Sequence, residues 1–84
     1  MVRIIVSIED KEAKIFNEPK LVINKVQAMR EFIEMCNDDK YPFKKYPEQF
    51  RLVKLGIFDD EKGEFLNEQE TLLEAKTCIT EKEK

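Results

Sequence analysis

The stretch FRLVKLGIFDDEKGEFL, residues 50–66, decides the fold that the sequence predicts. FRLVKLGIF, residues 50–58, is typical of a β-strand because it is rich in β-branched and aromatic residues. DDEKG predicts a hairpin turn in which Gly63 takes a positive φ, and EFL predicts the return strand. An antiparallel hairpin is therefore the first unit of the predicted sheet.

The amino-terminal stretch VRIIVSI, residues 2–8, predicts another strand because its side chains alternate between two faces. The face expected to pack on the core is wholly apolar and consists of Val2, Ile4, Val6 and Ile8. AKIFNEP is weakly extended, and Pro19 excludes it from a central strand. KLVI predicts a short second strand or an extended entry to a helix.

The clearest helix is predicted at about residues 25–37. Asn24 is a strong N-cap residue, and Gln27 three positions later completes a capping box. The apolar stripe expected to face the sheet consists of Val26, Met29, Phe32, Ile33 and Cys36. Asn37 is expected to end the helix because asparagine tolerates the left-handed conformation.

These elements predict an α+β fold, a small antiparallel sheet of three to four strands with one amphipathic helix packed on one face. A chain of 84 residues is expected to form a single domain over residues 1–84. The core is expected at about residues 2–66, and residues 67–84 form a C-terminal extension that contains a short helical turn and frays at its end.

Composition argues against several classes of function. The formal net charge of −3 disfavours a sequence-blind duplex binder, whose affinity rests on many lysine and arginine contacts to phosphate. The chain has no histidine, and two glycines make a glycine-rich phosphate loop impossible. We therefore expect no enzyme, no catalytic residue and no cofactor. No apolar run approaches the ~20 residues of a membrane helix, so no membrane partner is expected either.

The two cysteines, Cys36 and Cys78, are far apart in the sequence and form no CxxC pair. Two lone thiols without histidine do not supply the four ligands of a zinc site, so no metal site is expected. Cys36 falls in the helical stripe and is expected to be a buried thiol, although a disulfide with Cys78 stays open. This cysteine usage is typical of a reducing cytosol.

The connection KYPFKKYPEQF, residues 40–50, combines lysines, aromatics and prolines, and two interpretations of it remain open. Single strands are held by base stacking, worth about 1–3 kcal/mol per base, and by cations along the backbone. Alternatively, the aromatics pack under the sheet, the prolines stiffen the connection and the lysines stay in water. The candidate nucleic-acid residues are Lys40, Tyr41, Phe43, Lys44, Lys45, Tyr46, Arg51 and Lys54.

A second candidate surface is the sheet face away from the helix. Strict alternation places on it Arg3, Ile5, Phe50, Leu52, Lys54 and Phe58. Such a face serves a symmetric dimer, packs under another segment, or binds single strands as the RNA-recognition sheet does. The candidate interface residues are Ile5, Phe50, Leu52 and Phe58. The acidic DDEKGE lacks the ligand spacing of a calcium loop and is interpreted as a hairpin turn.

An ordered string of residues resembles the small nonstructural protein of gokushovirus-type microviruses, the phage fifth-open-reading-frame family. The resemblance covers about residues 2–66 and rests on Asp10, Lys11, Ala13, Phe16, Pro19, Asn24, Ala28, Arg30, Phe32, Asn37, Asp38, Pro42, Pro47, Phe50, Leu55, Gly56, Phe58, Asp59 and Gly63. The part LGIFDDEKGEF is the most specific. The first strand lacks the tyrosine expected of many relatives, and PKLVI replaces an aromatic Pro-Phe step.

The resemblance implies a protein of the infected bacterial cytoplasm that is absent from the virion and acts in phage genome replication. It carries over no catalytic residue. Two hypotheses follow. In the first, the chain binds single-stranded DNA during replication. In the second, it is a homodimeric interaction module that regulates the replication initiator or a host replication protein without contacting DNA.

Overall fold

The computed structural model describes residues 1–79, which contain one α-helix and five β-strands. In chain order these are β1 (Val2–Asp10), β2 (Ile15–Phe16), β3 (Lys20–Val22), α1 (Lys25–Cys36), β4 (Phe50–Asp59), β5 (Glu64–Glu74) and a 3-10 turn (Ala75–Thr77). The α+β prediction is confirmed, with more strands than the sequence indicated. The predicted fraying of the chain end falls partly on residues 80–84, outside the described residues.

All strand pairs are antiparallel, and the sheet has the order β2-β1-β4-β5, with β3 also paired to β1. β2 and β3 share one side of β1 because β4 occupies the other side along its whole length. The register slips by one residue between the pair Asp10–Ile15 and the pair Val6–Lys20. Pro19 lies in this slip, so β2 and β3 form one interrupted edge strand, where proline is tolerated.

Helix α1 begins as predicted, since the Asn24 side chain accepts a hydrogen bond from the Gln27 N–H at 2.9 Å. Its buried row is Ala28, Phe32 and Cys36, a spacing of four residues from one member to the next. The predicted stripe was wrong in part, because Val26 and Ile33 lie exposed on the neighbouring row. Ala28 is 4% exposed and belongs to the core cluster with Phe32 and Cys36, so this row faces the sheet.

Helix α1 ends at Asn37 as predicted, but not through the left-handed conformation that the sequence indicated. Asn37 has φ −103°, so it is not left-handed. Instead its side-chain amide donates to the carbonyl oxygens of Ile33, at 2.8 Å, and Cys78, at 3.0 Å. One side chain therefore caps the helix and ties it to the carboxyl-terminal part of the chain.

Two hairpin turns use the same local chemistry. The Asp59 carboxylate accepts a hydrogen bond from the Glu61 N–H at 3.0 Å, and Gly63 closes the turn with φ 66°. The predicted hairpin and the role of Gly63 are confirmed. Asp10 begins the equivalent turn between β1 and β2, which ends at Lys14 with φ 61°. Aspartate side chains satisfy backbone N–H groups in such turns, which explains their place at each start.

A β-bulge in β4 changes which side chains share a face. Val6 is opposite Lys54 and Ile5 is opposite Gly56, so Leu55 is an extra residue in β4. A one-residue insertion reverses the alternation beyond it. The prediction of one common face was therefore wrong. Three of its members, Phe50, Leu52 and Lys54, lie on the helix side, whereas Phe58 lies on the other side with Arg3 and Ile5.

The core lies between α1 and the helix side of the sheet. Its buried members are Val6, Val22, Ala28, Phe32, Cys36, Phe43, Phe50, Leu52, Ala75 and Cys78. Val2, predicted to face the core, is exposed near the sheet end. The predicted C-terminal extension supplies core residues and most of β5, and its predicted helical turn is the 3-10 turn.

We predict that Gly56→Ala lowers the free energy of unfolding by about 2 kcal/mol, a cost typical of overpacking a close contact. A Cβ at this position would overlap the carbonyl oxygen of Leu66 on β5. Urea unfolding followed by circular dichroism measures the change. The control is Gly63→Ala. A Cβ at this position has no atom within 4 Å, so we expect the free energy of unfolding to fall by only about 1 kcal/mol, the cost of a positive φ for alanine. Equal losses for the two variants would contradict a tight approach of β5 at Gly56.

Candidate functional site

The aromatic side chains of the loop at 37–49 are mostly part of the core. Phe43 is 6% exposed, and its ring contacts Phe50 edge-on at 4.9 Å and Phe32 at 5.5 Å. Tyr41 stacks on Phe43 with ring centroids 5.6 Å apart and an interplanar angle of 4°. These contacts join helix, loop and β4. They leave Phe43 unable to stack on bases without disrupting the core, and they occupy one face of the half-buried Tyr41 ring.

Residues 40–47 of this loop expose a basic stretch, and Asp38, Asp39 and Glu48 balance its three lysines over the whole loop. Tyr46 is 45% exposed, and the Lys45 ammonium lies 5.6 Å from the centre of its ring. Lys40 and Lys44 are exposed as well, with Lys44 3.4 Å from the Asp39 carboxylate. The structure thus brings together four of the eight candidate nucleic-acid residues, with one aromatic ring among them.

The other two basic candidates lie on opposite faces of β4. Arg51 pairs with the Glu9 carboxylate and donates to the Thr71 hydroxyl at 2.6 Å, which links three neighbouring strands. Lys54 is on the helix side and lies 3.0 Å from Glu68. Both cations are therefore engaged with carboxylates of the sheet, and they do not extend the basic surface of the loop.

The sheet side away from α1 carries a group that we call the open face: Arg3, Ile5, Leu21, Phe58 and Phe65. Phe58 and Phe65 are cross-strand partners with ring centroids 4.9 Å apart, and Phe65 is 69% exposed. The single helix of the described chain packs on the other side. Of the predicted interface residues, Ile5 and Phe58 lie here, whereas Phe50 and Leu52 are core residues.

Phe65 and Leu21 were missed by sequence reasoning, although a signal existed for Phe65. The DDEKG turn pairs Asp59 with Glu64, so the next pair along the hairpin has to be Phe58 with Phe65. Leu21 offered no comparable signal, because its position opposite Ile5 depends on the slip around Pro19.

Both cysteines are free and buried. Burial raises the pKa of the Cys36 thiol from 9.0 to about 12, and burial also raises the pKa of Cys78. The Cys78 thiol donates to the Glu74 carbonyl oxygen at 3.3 Å. A protonated, buried thiol is a poor nucleophile and a poor metal ligand, so these cysteines act as core residues.

Over residues 1–79, no group of three or more histidine, cysteine, aspartate or glutamate side chains is placed to hold a metal ion. In the same part of the chain, no helix combines the length and apolar character needed to cross a bilayer.

Fold and surface together define a small α+β domain that exposes an apolar sheet face and a basic loop. The model of the Phage ORF5 protein family matches residues 3–78, and the chain belongs to this family. The phage part of the resemblance seen in the sequence is thereby confirmed. No curated protein and no solved structure matches the chain.

We predict that the buried thiols make the protein less stable at alkaline pH. The folded pKa of Cys36, about 12, is above the unfolded value of 9.0, so the unfolded chain loses this proton first as pH rises. The contribution of the protonated Cys36 thiol to the free energy of unfolding is complete below pH 9. It falls by ~1.4 kcal/mol per pH unit between the two pKa values. The difference between the urea midpoints at pH 8 and pH 10.5 should therefore be smaller in Cys36→Ala than in the unchanged protein.

The same burial predicts slow reaction of both cysteines with Ellman's reagent in the native protein and fast reaction in urea. Rapid native labelling, together with a pH dependence that Cys36→Ala leaves unchanged, would contradict the proposed burial of the thiols.

Proposed function

We propose that this phage protein acts as a homodimeric protein-interaction module that uses the open face. The observation that supports this proposal is the Phe58–Phe65 pair, which places adjacent aromatic rings on an uncovered sheet. Contiguous exposed apolar side chains on a small domain are typical of interaction surfaces. A two-fold axis pairs such a patch with itself, so one set of residues serves both partners.

The charges around the open face favour a second copy of the chain as the partner. Arg3 lies on the face, and its nearest carboxylate, Asp60, is 3.9 Å away. Asp60 belongs to the acidic hairpin turn at the border of the face. Within one chain the Met1 ammonium, 2.7 Å from Asp60, also meets this turn. The open face therefore has both signs of charge at one end, and a second copy with the same surface offers complementary charges there.

The wider role is proposed on the sequence resemblance to gokushovirus-type proteins, and the family match supports its phage origin. We place the chain among the non-catalytic, nonstructural proteins of the phage, in the cytoplasm of the infected bacterium and outside the virion. There the dimer regulates genome replication by binding the viral replication initiator or a host replication protein.

The dimer proposal predicts a sedimentation-equilibrium mass of twice 10.0 kDa at micromolar concentration. Phe65→Ser removes the most exposed ring of the open face and is expected to give the monomer mass, since the interface loses a central aromatic contact. Val26→Ser is the matched control, because Val26 is 57% exposed on α1, on the other side of the sheet.

A monomer mass for the unchanged protein at several hundred micromolar would refute this proposal. So would a Phe65→Ser protein that dimerises like the Val26→Ser control while retaining native circular dichroism.

Binding of single-stranded DNA is the second candidate function, and the exposed basic loop supports it. The exposed ring of Tyr46 offers a stacking platform with the Lys45 ammonium 5.6 Å from its centre, and Lys40 and Lys44 are exposed in the same loop. One platform contributes about 1–3 kcal/mol, whereas three were expected from the sequence. The remaining affinity would come from lysine contacts to phosphate, which weaken as salt is added.

Fluorescence anisotropy of labelled oligo-dT tests the DNA proposal. We expect binding that falls with salt and that Lys45→Ala combined with Tyr46→Ala reduces at least about tenfold, the effect of losing ~1.4 kcal/mol. Lys62→Ala combined with Leu66→Ala serves as the control on the hairpin, because both residues are exposed and lie outside the open face. The absence of binding at low salt, or equal losses in both double variants, would exclude the loop as a DNA site.

A further inference from the structure

The two cysteines of the chain lie against each other in the core. Cys36 is the last residue of α1, and Cys78 directly follows the 3-10 turn. Both side chains belong to the core cluster, with exposures of 0% and 6%. The Cys36 thiol donates a hydrogen bond to the Cys78 sulfur. Two thiols in contact, carried by separate elements of the chain, are the arrangement from which a disulfide forms.

Hydrogen bonds hold the backbone beside each thiol. Asn37 directly follows Cys36, and its side-chain amide donates to the carbonyl oxygens of Ile33, at 2.8 Å, and Cys78, at 3.0 Å. On the other segment, the Cys78 N–H donates to the Ala75 carbonyl oxygen at 3.0 Å. The end of the helix and the 3-10 turn are therefore tied together at the point where the two sulfur atoms meet.

The native core protects the two thiols from oxidants. Burial keeps both of them protonated at neutral pH, whereas attack on an oxidant needs a thiolate. Cys78, however, lies in the segment at 75–79, whose regular structure is one short 3-10 turn. Separation of this segment from α1 exposes both thiols and leaves the strands of the sheet paired. Oxidation of the folded protein thus requires a local opening of this segment and not global unfolding.

We propose that Cys36 and Cys78 form a reversible disulfide when the protein meets a small-molecule disulfide such as oxidised glutathione. In the opened segment one cysteine loses its proton and attacks the oxidant, which releases one reduced glutathione and leaves a mixed disulfide. The other cysteine loses its proton and attacks the protein sulfur of that mixed disulfide, which releases the second reduced glutathione. The two thiols give up two protons and two electrons, and the oxidant takes them up.

The crosslink has a direct consequence for stability. It joins the end of α1 to the segment after β5 and closes a loop that contains both β4 and β5. A long closed loop restricts the unfolded chain, so the oxidised protein is more stable than the reduced one. The pair therefore strengthens the fold when a reducing environment is lost. This role concerns the core and is independent of the open face and of the basic loop.

The test is incubation of the folded, full chain with an excess of oxidised glutathione, followed by mass spectrometry and by Ellman's titration in urea. We expect a single chain that is lighter by two hydrogen atoms and has no free thiol. Its urea midpoint should be higher than that of the reduced protein by at least about 1 M, and dithiothreitol should reverse the change. Cys78→Ser is the chemical control, because it can form only a glutathione adduct at Cys36.

Two helix-cap variants test the local opening. Asn37→Ala removes the tie between the helix end and Cys78, and we expect the folded protein to oxidise at least about threefold faster, the effect of one lost hydrogen bond. Asn24→Ala is the matched control. Its side chain caps the other end of the same helix through the Gln27 N–H, at 2.9 Å, and this end takes no part in the opening. The oxidation rate of Asn24→Ala should equal that of the unchanged protein.

Three outcomes would overturn the inference. The first is a folded protein that forms no internal disulfide under conditions in which the urea-unfolded chain forms it. The second is an oxidised protein with a lower urea midpoint than the reduced one, because a strained bond of this kind means that the thiols are not placed to join. The third is equal acceleration in Asn37→Ala and Asn24→Ala, which would assign the oxidation to global unfolding.

Discussion

The one-residue bulge at Leu55 is the constraint on which the rest of the structure depends. It places Phe50 and Leu52 under the helix and Phe58 on the opposite side of the same strand. A strand without the bulge would carry the side chains of Phe50, Leu52 and Phe58 on one face. Either the core or the open face would then lack its aromatic side chain. Gly56 allows this arrangement, because β5 passes too close for any Cβ there. Core and open face are thus two results of one backbone irregularity.

Phe43 plays the corresponding part for the helix-to-strand connection. Its ring contacts Phe32 of the helix, Tyr41 of the loop and Phe50 of β4, so the connection is held by an aromatic cluster as well as by its prolines. The three residues that follow the buried Phe43, namely Lys44, Lys45 and Tyr46, are all exposed. The same cluster therefore removes one aromatic ring of the loop from solvent and leaves the lysines beside it at the surface.

The elements were predictable because their signals are local. The Asn24 cap, the turn at Gly63 and the alternation of β1 each depend on a few neighbouring residues. What could not be predicted depends on distant partners. The bulge needs the approach of β5 to Gly56, and the helix row needs the fit of Ala28 against the sheet. The candidate site was the part predicted least well, because its residues share a surface only if each side chain of β4 is assigned to the correct face.

The charges of the loop limit how strongly it can attract a nucleic acid. Between residues 37 and 49, Lys40, Lys44 and Lys45 are balanced by Asp38, Asp39 and Glu48. Lys44 lies 3.4 Å from the Asp39 carboxylate, so part of the positive charge is already neutralised within the loop. Contacts from a few lysines to phosphate weaken as salt is added, and DNA binding at this loop would therefore depend on the Tyr46 ring as well as on its cations.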